Sequence, residues 1–329
     1  MSDRADLAGV LGLALEWHTS GQGVAIATVV ETWGSAPRPT GSQLAIRDDG
    51  HMQGSVSGGC VEGAVIVEAL EAIDDGAARL LEFGVSDDEA FAVGLACGGR
   101  IRVLVEPVGG AGTGAMPVEY LTQLVTAMMS RQPVAYVAHL QNGARDVVGV
   151  HAHPDRFRLD RSGVEEDGAT FVAIHNPPLR MIVVGGVHIA QHLIPMAKAC
   201  GFDPLLVDPR PAFGSPDRFP DITISDDWPD EALQGAHLDA RTAVVTLTHD
   251  AKLDDPAIKA ALRADVFYLG CLGSKRTHSK RVDRLKADGF DAADIARIHA
   301  PVGLDIGGRS PAEIAVSIMA QITQTLRQG

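Results

Sequence analysis

Beyond Asn176-Pro177-Pro178 the chain alternates short apolar runs with amphipathic stretches, and few folds accept that pattern. Met181 to Val184, Pro204 to Val207, Ala243 to Leu247 and Val266 to Leu269 are predominantly apolar. Runs this short, with little polar alternation, suit strands buried on both faces. The stretches between them carry helical periodicity, as in Ile189 to Cys200. A parallel sheet with helices on both faces follows. The chain has 329 residues, enough for two domains. The Pro-Pro pair marks the boundary, giving domains at 1–175 (core 1–108, a helix and strands over 116–175) and 178–329.

The first part reads differently. Val24 to Val30 and Ser42 to Arg47 read as strands, the second followed by a turn at Asp48-Asp49-Gly50. Ile101, Val103 and Val105 alternate with Arg100, Arg102 and Glu106, which predicts a half-exposed strand. Gly109 to Gly114 is a glycine-rich connector before a helix at about Val118 to Met129. The expected class is α/β: a mixed α/β domain first, then a Rossmann-like parallel sheet. A formal net charge of −14 argues against nucleic acid or an anionic membrane as the main partner. Acidic residues near Met1 do not suit a signal peptide, and no apolar run approaches the ~20 residues of a membrane span. Cys60, Cys97, Cys200 and Cys271 form no CxxC pair, so a reducing cytoplasm is expected rather than a disulfide framework or structural zinc. Cys200, at the end of an apolar helix, is expected in the core.

Gly54-Ser55-Val56-Ser57-Gly58-Gly59-Cys60-Val61-Glu62-Gly63-Ala64 is the densest chemical signal. A loop so poor in Cβ atoms bends sharply and lets N–H groups approach a ligand. Val61, Val65, Ala69, Leu70 and Ile73 recur at helical spacing, which places Cys60 at or near a helix N-terminus, where a thiolate is favoured. Cys60 reads either as an exposed sulfur beside an anion cradle, with Ser57, Gly58 and Gly59, or as a small buried hydrophobe. Cys97-Gly98-Gly99 offers a second sulfur. Trp33-Gly34-Ser35-Ala36-Pro37-Arg38-Pro39 is a rigid loop presenting one cation, Arg38.

In the second part, Met181 to Asp208 outlines a dinucleotide-binding βαβ unit with Gly185 and Gly186 in its turn, His188 after them, and Asp208 ending the second strand. Val187 stands where G-x-G-x-x-G has its second glycine, so the standard pyrophosphate contact is obstructed. Gly270-Cys271-Leu272-Gly273-Ser274-Lys275-Arg276-Thr277-His278-Ser279-Lys280-Arg281 is a glycine turn into a basic helix start, with five Lys, Arg or His residues within seven positions, where Gly270, Gly273, Ser274 and Arg276 suit an anion. The bland alternative is a solvated basic face. Thr248-His249-Asp250 with Asp254 reads as acid–base groups, metal ligands or capped polar residues. Ser310-Pro311-Ala312-Glu313 reads as a capping box opening a last helix to about Arg327.

Several of these segments together resemble one family. Thr32 to Pro39, Gly54 to Gly63, Cys97-Gly98-Gly99, Gly270 to Arg276 and Pro301-Val302-Gly303-Leu304-Asp305-Ile306-Gly307 are similar to the XdhC/CoxI family. The resemblance implies an N-terminal XdhC/CoxI domain and a C-terminal Rossmann-like domain in a homodimer. It implies an accessory protein, a maturation chaperone, that binds molybdenum cofactor (molybdopterin or its dinucleotide form), supports its sulfuration by a cysteine desulfurase, and delivers it to an apo molybdenum hydroxylase such as xanthine dehydrogenase. Cys60 is then a candidate molybdenum ligand or sulfur carrier, with Cys97 beside it. The family's turn reads roughly Gly-Ala-Gly-His-Val-Ala, against Gly185-Gly186-Val187-His188-Ile189-Ala190 here; the missing central glycine bears on NAD(P) binding, not on membership. The rival readings are an NAD(P)-dependent oxidoreductase using Asp208, and a cysteine-nucleophile enzyme, for which His51 is the base nearest in sequence.

Overall fold

The structure is a computed structural model, and it describes residues 2–34, 36, 38–84, 99–110 and 112–328. The chain divides into two compact units, Met1–Pro177 and Pro178–Gly329.

The first unit runs α1 (Ser2–Thr19), β1 (Val24–Trp33), β2 (Gln43–Arg47), β3 (Met52–Gly54), α2 (Glu62–Asp75), β4 (Arg79–Phe83), β5 (Arg100–Pro107), α3 (Val118–Met129), β6 (Val134–His139), β7 (Arg145–Val148), α4 (Pro154–Leu159), β8 (Gly163–Val164) and β9 (Thr170–His175). Among the described residues, antiparallel pairing builds one sheet in the order β3-β2-β1-β5-β4 and another in the order β7-β6-β9-β8. β1 shows why both faces of the first sheet are covered. Ala25, Ala27 and Val29 pack with Val61, Val65 and Ala69 beside α2. Val24, Ile26 and Val30 pack with Leu11 of α1, Leu121 of α3 and Tyr136 of the second sheet. Side chains alternate across a strand, so apolar residues at successive positions demand this double cover.

That cover corrects one expectation. Arg100 is exposed and Arg102 half-buried, as the alternation predicts, but from Val103 onward β5 is not half-exposed: Leu104, Val105 and Glu106 are all buried. The Glu106 carboxylate accepts from Tyr136 Oη at 2.7 Å and Arg145 Nε at 2.5 Å. Burial pushes its carboxyl above the usual range, against the pull of Arg145 and Tyr136. Period-two patterning could not reveal a charged residue that meets its partners in a different sheet.

The second unit comprises β10 (Leu179–Val184), α5 (His188–Ala199), β11 (Phe202–Val207), β12 (Thr223–Ser225), α6 (Pro229–Gly235), β13 (Thr242–Thr246), α7 (Ala251–Leu262), β14 (Tyr268–Cys271), α8 (Lys275–Ala287), α9 (Ala292–Ala296), β15 (Ile298–His299) and α10 (Pro311–Gln328). All its strand pairs are parallel, in the order β12-β11-β10-β13-β14-β15. Renumbered within the unit, that is 3-2-1-4-5-6, the doubly wound Rossmann order. Met181, Val183, Ala243 and Val245 face α5 and α10, while Ile182, Val184 and Val244 face α7. The expected α/β class, with a mixed first domain and a Rossmann-like second, is therefore the observed one.

Ser310 and Glu313 form the expected start of α10, with Ser310 N–H donating to Glu313 Oε2 at 2.8 Å and Glu313 N–H to Ser310 Oγ at 3.3 Å. Cys200 is exposed, not in the core, because it caps α5 where the helix stops burying its apolar face. Among the described residues no helix is long and apolar enough to cross a membrane.

Candidate functional site

In the first unit, strand register gathers the sequence motifs at one end of a sheet. Trp33 pairs with Arg100, Thr28 with Gln43, and Leu44 with Gly54. The connection after Trp33, the loop after Gly54, and Gly99 just before β5 therefore share that end. Cys97 lies outside the described residues. Gly54 is required where it stands: φ is 103°, and a Cβ would fall on the Gln43 carbonyl oxygen.

The loop is organised by Glu62, the first residue of α2. Its buried carboxylate accepts from Ser55 Oγ (2.8 Å), Val56 N–H (3.2 Å), Ser57 N–H (2.9 Å) and Gly59 N–H (2.9 Å), and from the Ser57 hydroxyl. Ser57 Oγ accepts in turn from Val61 N–H at 2.9 Å. Burial would raise the Glu62 carboxyl, but the bonds from Ser57 and Ser55 outweigh it and hold it at about 2. The cradle expected from glycine content is real, yet the anion in it is the chain's own Glu62, and Ser57 is inside it, buried. What the loop offers to solvent is Gly58, Gly59 and Cys60, all exposed. Cys60 sits immediately before Val61, the residue that caps α2, so its place beside a helix N-terminus holds.

Two features flank the loop's end of the sheet. Arg38 is exposed on the preceding connection, where Ala36 packs into the same apolar cluster as Val56 and Val61. Trp33 is 39% exposed, with the Arg100 guanidinium 4.4 Å over its ring. His51, the base nearest to Cys60 in sequence, packs edge-on against Trp17 at the far end of β3.

The second unit carries the glycine turn at the carboxyl end of β10, the switch point of the sheet. Gly185 has φ 110° and abuts Thr248, while Ala190 is fully buried, as close helix–strand packing requires. Val187 packs its side chain toward the core, and His188 opens α5 exposed. A Cβ on Gly186 would meet the Phe213 carbonyl group, and Arg218 Nη1 bridges the Gly186 and Phe213 carbonyls at 2.6 Å each. Asp208 is buried and engaged: it accepts from Gly186 N–H (2.8 Å), Arg210 N–H (3.0 Å) and the Arg210 guanidinium (2.8 Å twice). Burial opposes its ionisation, but Arg210 and the Gly186 N–H hold it below the usual carboxylate range. Both groups that a dinucleotide would use in the standard pose are thus occupied from within.

At the carboxyl end of β14, Gly270 serves packing: a Cβ there would lie 2.6 Å from Val302 and 2.7 Å from Tyr268. Gly273 closes onto Thr277, and Ser274 caps α8 by accepting from Thr277 N–H at 3.2 Å. Arg276 projects from the first turn, exposed. Nearby, Asp250 caps α7 through Lys252 N–H (2.9 Å), and Thr248 Oγ1 donates to buried Asp254 (2.7 Å). Among the described residues no group of three or more His, Cys, Asp or Glu is placed to hold a metal ion. Cys271 is buried, and burial pushes its thiol up to about 12. The residue that sequence reasoning missed is Glu62. An acidic residue opening a helix after serines and glycines was the available signal.

Comparison with known proteins adds relatives to this geometry. The family model "XdhC Rossmann domain" matches residues 181–322, and "XdhC and CoxI family" matches residues 17–84. The molybdenum cofactor insertion chaperone PaoD of Escherichia coli is 32% identical over 313 residues, covering 95% of this chain and 86% of that one. A probable xanthine dehydrogenase subunit of Bacillus subtilis is 26% identical, covering 92% and 93%. The crystal structure of a xanthine dehydrogenase from Bacillus halodurans superposes with a TM-score of 0.60 at 24% identity, covering 97% and 96%, and speaks for the fold alone. With both units matched and near-complete coverage of a 32%-identical relative, the chain belongs to the XdhC/CoxI family.

Proposed function

We propose that this protein is a maturation factor that binds molybdenum cofactor as cargo, supports its sulfuration, and hands it to an apo molybdenum hydroxylase of the xanthine dehydrogenase kind. The observation that carries the reading is Cys60: an exposed thiol on a loop locked from beneath by Glu62, in a chain with a 32%-identical relative named as an insertion chaperone. Molybdenum accepts soft sulfur ligands, so a presented thiolate suits a carrier that must hold the metal or a transferable sulfur without burying it. Gly58 and Gly59 leave room around that sulfur, and Arg38 and Cys97 are its proposed companions. Gly185, Gly186, His188 and Asp208, with Gly270, Gly273, Ser274 and Arg276, are the second unit's candidates. Of these, His188, Ser274 and Arg276 reach solvent, and the glycines and Asp208 act as framework. A cysteine desulfurase as sulfur source, a homodimeric state and a cytoplasmic location complete the proposal.

The test is the activity of a molybdenum hydroxylase co-produced with this protein. Replacing the protein by its Cys60→Ala variant, at equal abundance, is expected to lower hydroxylase activity at least about tenfold, ~1.4 kcal/mol. Unchanged activity would remove Cys60 from the mechanism.

A second reading, an NAD(P)-dependent oxidoreductase, draws on the 3-2-1-4-5-6 strand order. Against it stand Phe213 over Gly186 and the engagement of Asp208 by Arg210. Fluorescence titration with NADH and NADPH is expected to give no saturation in the micromolar range; tight binding with turnover would favour the oxidoreductase instead.

A further inference from the structure

Arg281 heads the largest fully buried side chains among the described residues, at 2% exposure. Its Nη2 donates to the Leu272 carbonyl at 3.2 Å and stands 3.7 Å from Asp254 Oδ2. Its Nε and Nη1 have no partner among the described residues. A guanidinium has five N–H donors and no way to shed its charge, so the three unmet on Nε and Nη1 leave a buried, under-compensated cation that favours an anion close by.

Arg281 lines a cavity of about 260 Å³ at the carboxyl ends of β13 and β14. Arg276, Lys280 and Arg284 line it as well, with Thr277 and His249. Arg284 is held by Asp255 through hydrogen bonds of 2.5 and 2.9 Å. Arg276 and Lys280 form no ion pair among the described residues. Four cations therefore face two carboxylates, Asp254 and Asp255, in a chain whose overall charge is −14. The first turn of α8, a 13-residue helix, opens at the same place with its N–H groups. His249 at the rim holds φ 61°, a conformation that bulky residues seldom keep.

We propose that this cavity binds a phosphate group, either free phosphate or the terminal phosphate of a larger molecule. The excess of two positive charges matches a dianion, and guanidinium forks match its oxygens. The volume lies just below the ~300 Å³ at which drug-sized pockets begin, so it takes an oxyanion or one end of a ligand rather than a whole one. Arg281, buried beneath the cavity, supplies fixed positive charge, and the exposed Arg276 and Lys280 are the arms that bond the anion. The site stands on these residues alone and does not depend on the maturation role.

The experiment is calorimetric titration of the full-length protein, in phosphate-free buffer, with inorganic phosphate and in parallel with a nucleoside 5′-monophosphate. Saturable binding is expected for the unmodified protein and for Lys286→Ala, a control at the other end of α8. The double variant Arg276→Ala/Lys280→Ala alters only exposed side chains and is expected to weaken binding at least about tenfold. Tighter binding of the monophosphate would identify a terminal phosphate as the ligand; equal or weaker binding would identify free phosphate. No saturation by either up to ~10 mM, or equal affinity in the double variant, would overturn the proposal. Pterin retention of the native protein and of Cys60→Ala, in which this cavity is intact, reads the maturation role separately.

Discussion

Glu62 is where the behaviour of the first unit can be tested atom by atom. Its carboxylate receives three backbone N–H groups and two serine hydroxyls, so neutral Glu62→Gln weakens several charge-assisted bonds at once. Urea unfolding should show a loss of about 1–3 kcal/mol. The effect depends on pH with a defined sign. The folded carboxyl lies at about 2, below its ordinary 4.5, so the native state binds fewer protons than the unfolded one between those values. The stabilisation is present above about pH 4.5 and is lost as pH falls toward 2. The gap between the native protein and Glu62→Gln should therefore close over that range. Cys60→Ala, by contrast, removes an exposed group and should stay within about 0.5 kcal/mol of the native protein in the same assay. Peptide mapping after thiol labelling should find Cys60 and Cys200 modified and Cys271 protected until the chain is denatured.

At the scale of elements, what was legible follows from burial. β10, β11, β13 and β14 were visible because each must be apolar toward both helical layers. β3 and β12 were not, since short edge strands with exposed or half-exposed residues carry no apolar signature. The α10 start was legible because a capping box is local; Ser310→Ala should cost about 1 kcal/mol in thermal or urea unfolding. The basic wall of the Arg281 cavity was legible in the run from Gly270 to Arg281, but its closure was not, because Asp254 and Arg281 meet only through the adjacency of β13 and β14. The loop around Cys60 was half legible: its glycines announced an anion cradle, but nothing local distinguished an external anion from Glu62. The glycine turn gave the converse case. Val187 announced an imperfect dinucleotide site, while Phe213 and Arg210, which fill it, lie more than twenty residues downstream of the turn.

For the whole molecule, two units of different architecture bring different chemistry. The antiparallel unit presents a sulfur on a pinned loop, and the parallel unit has a self-occupied dinucleotide turn beside a basic cavity. The proposed carrier role draws on the presented sulfur, whereas the oxidoreductase reading asks for an open nucleotide turn. The central claim is that the chain carries molybdenum cofactor on the Cys60 loop. The direct measurement is molybdenum by metal analysis and pterin by oxidised-pterin fluorescence, on the native protein and Cys60→Ala purified side by side from a host that synthesises the cofactor. The account predicts both molybdenum and pterin in the native protein and a loss of at least about tenfold in Cys60→Ala. Native protein free of pterin from such a host would contradict it.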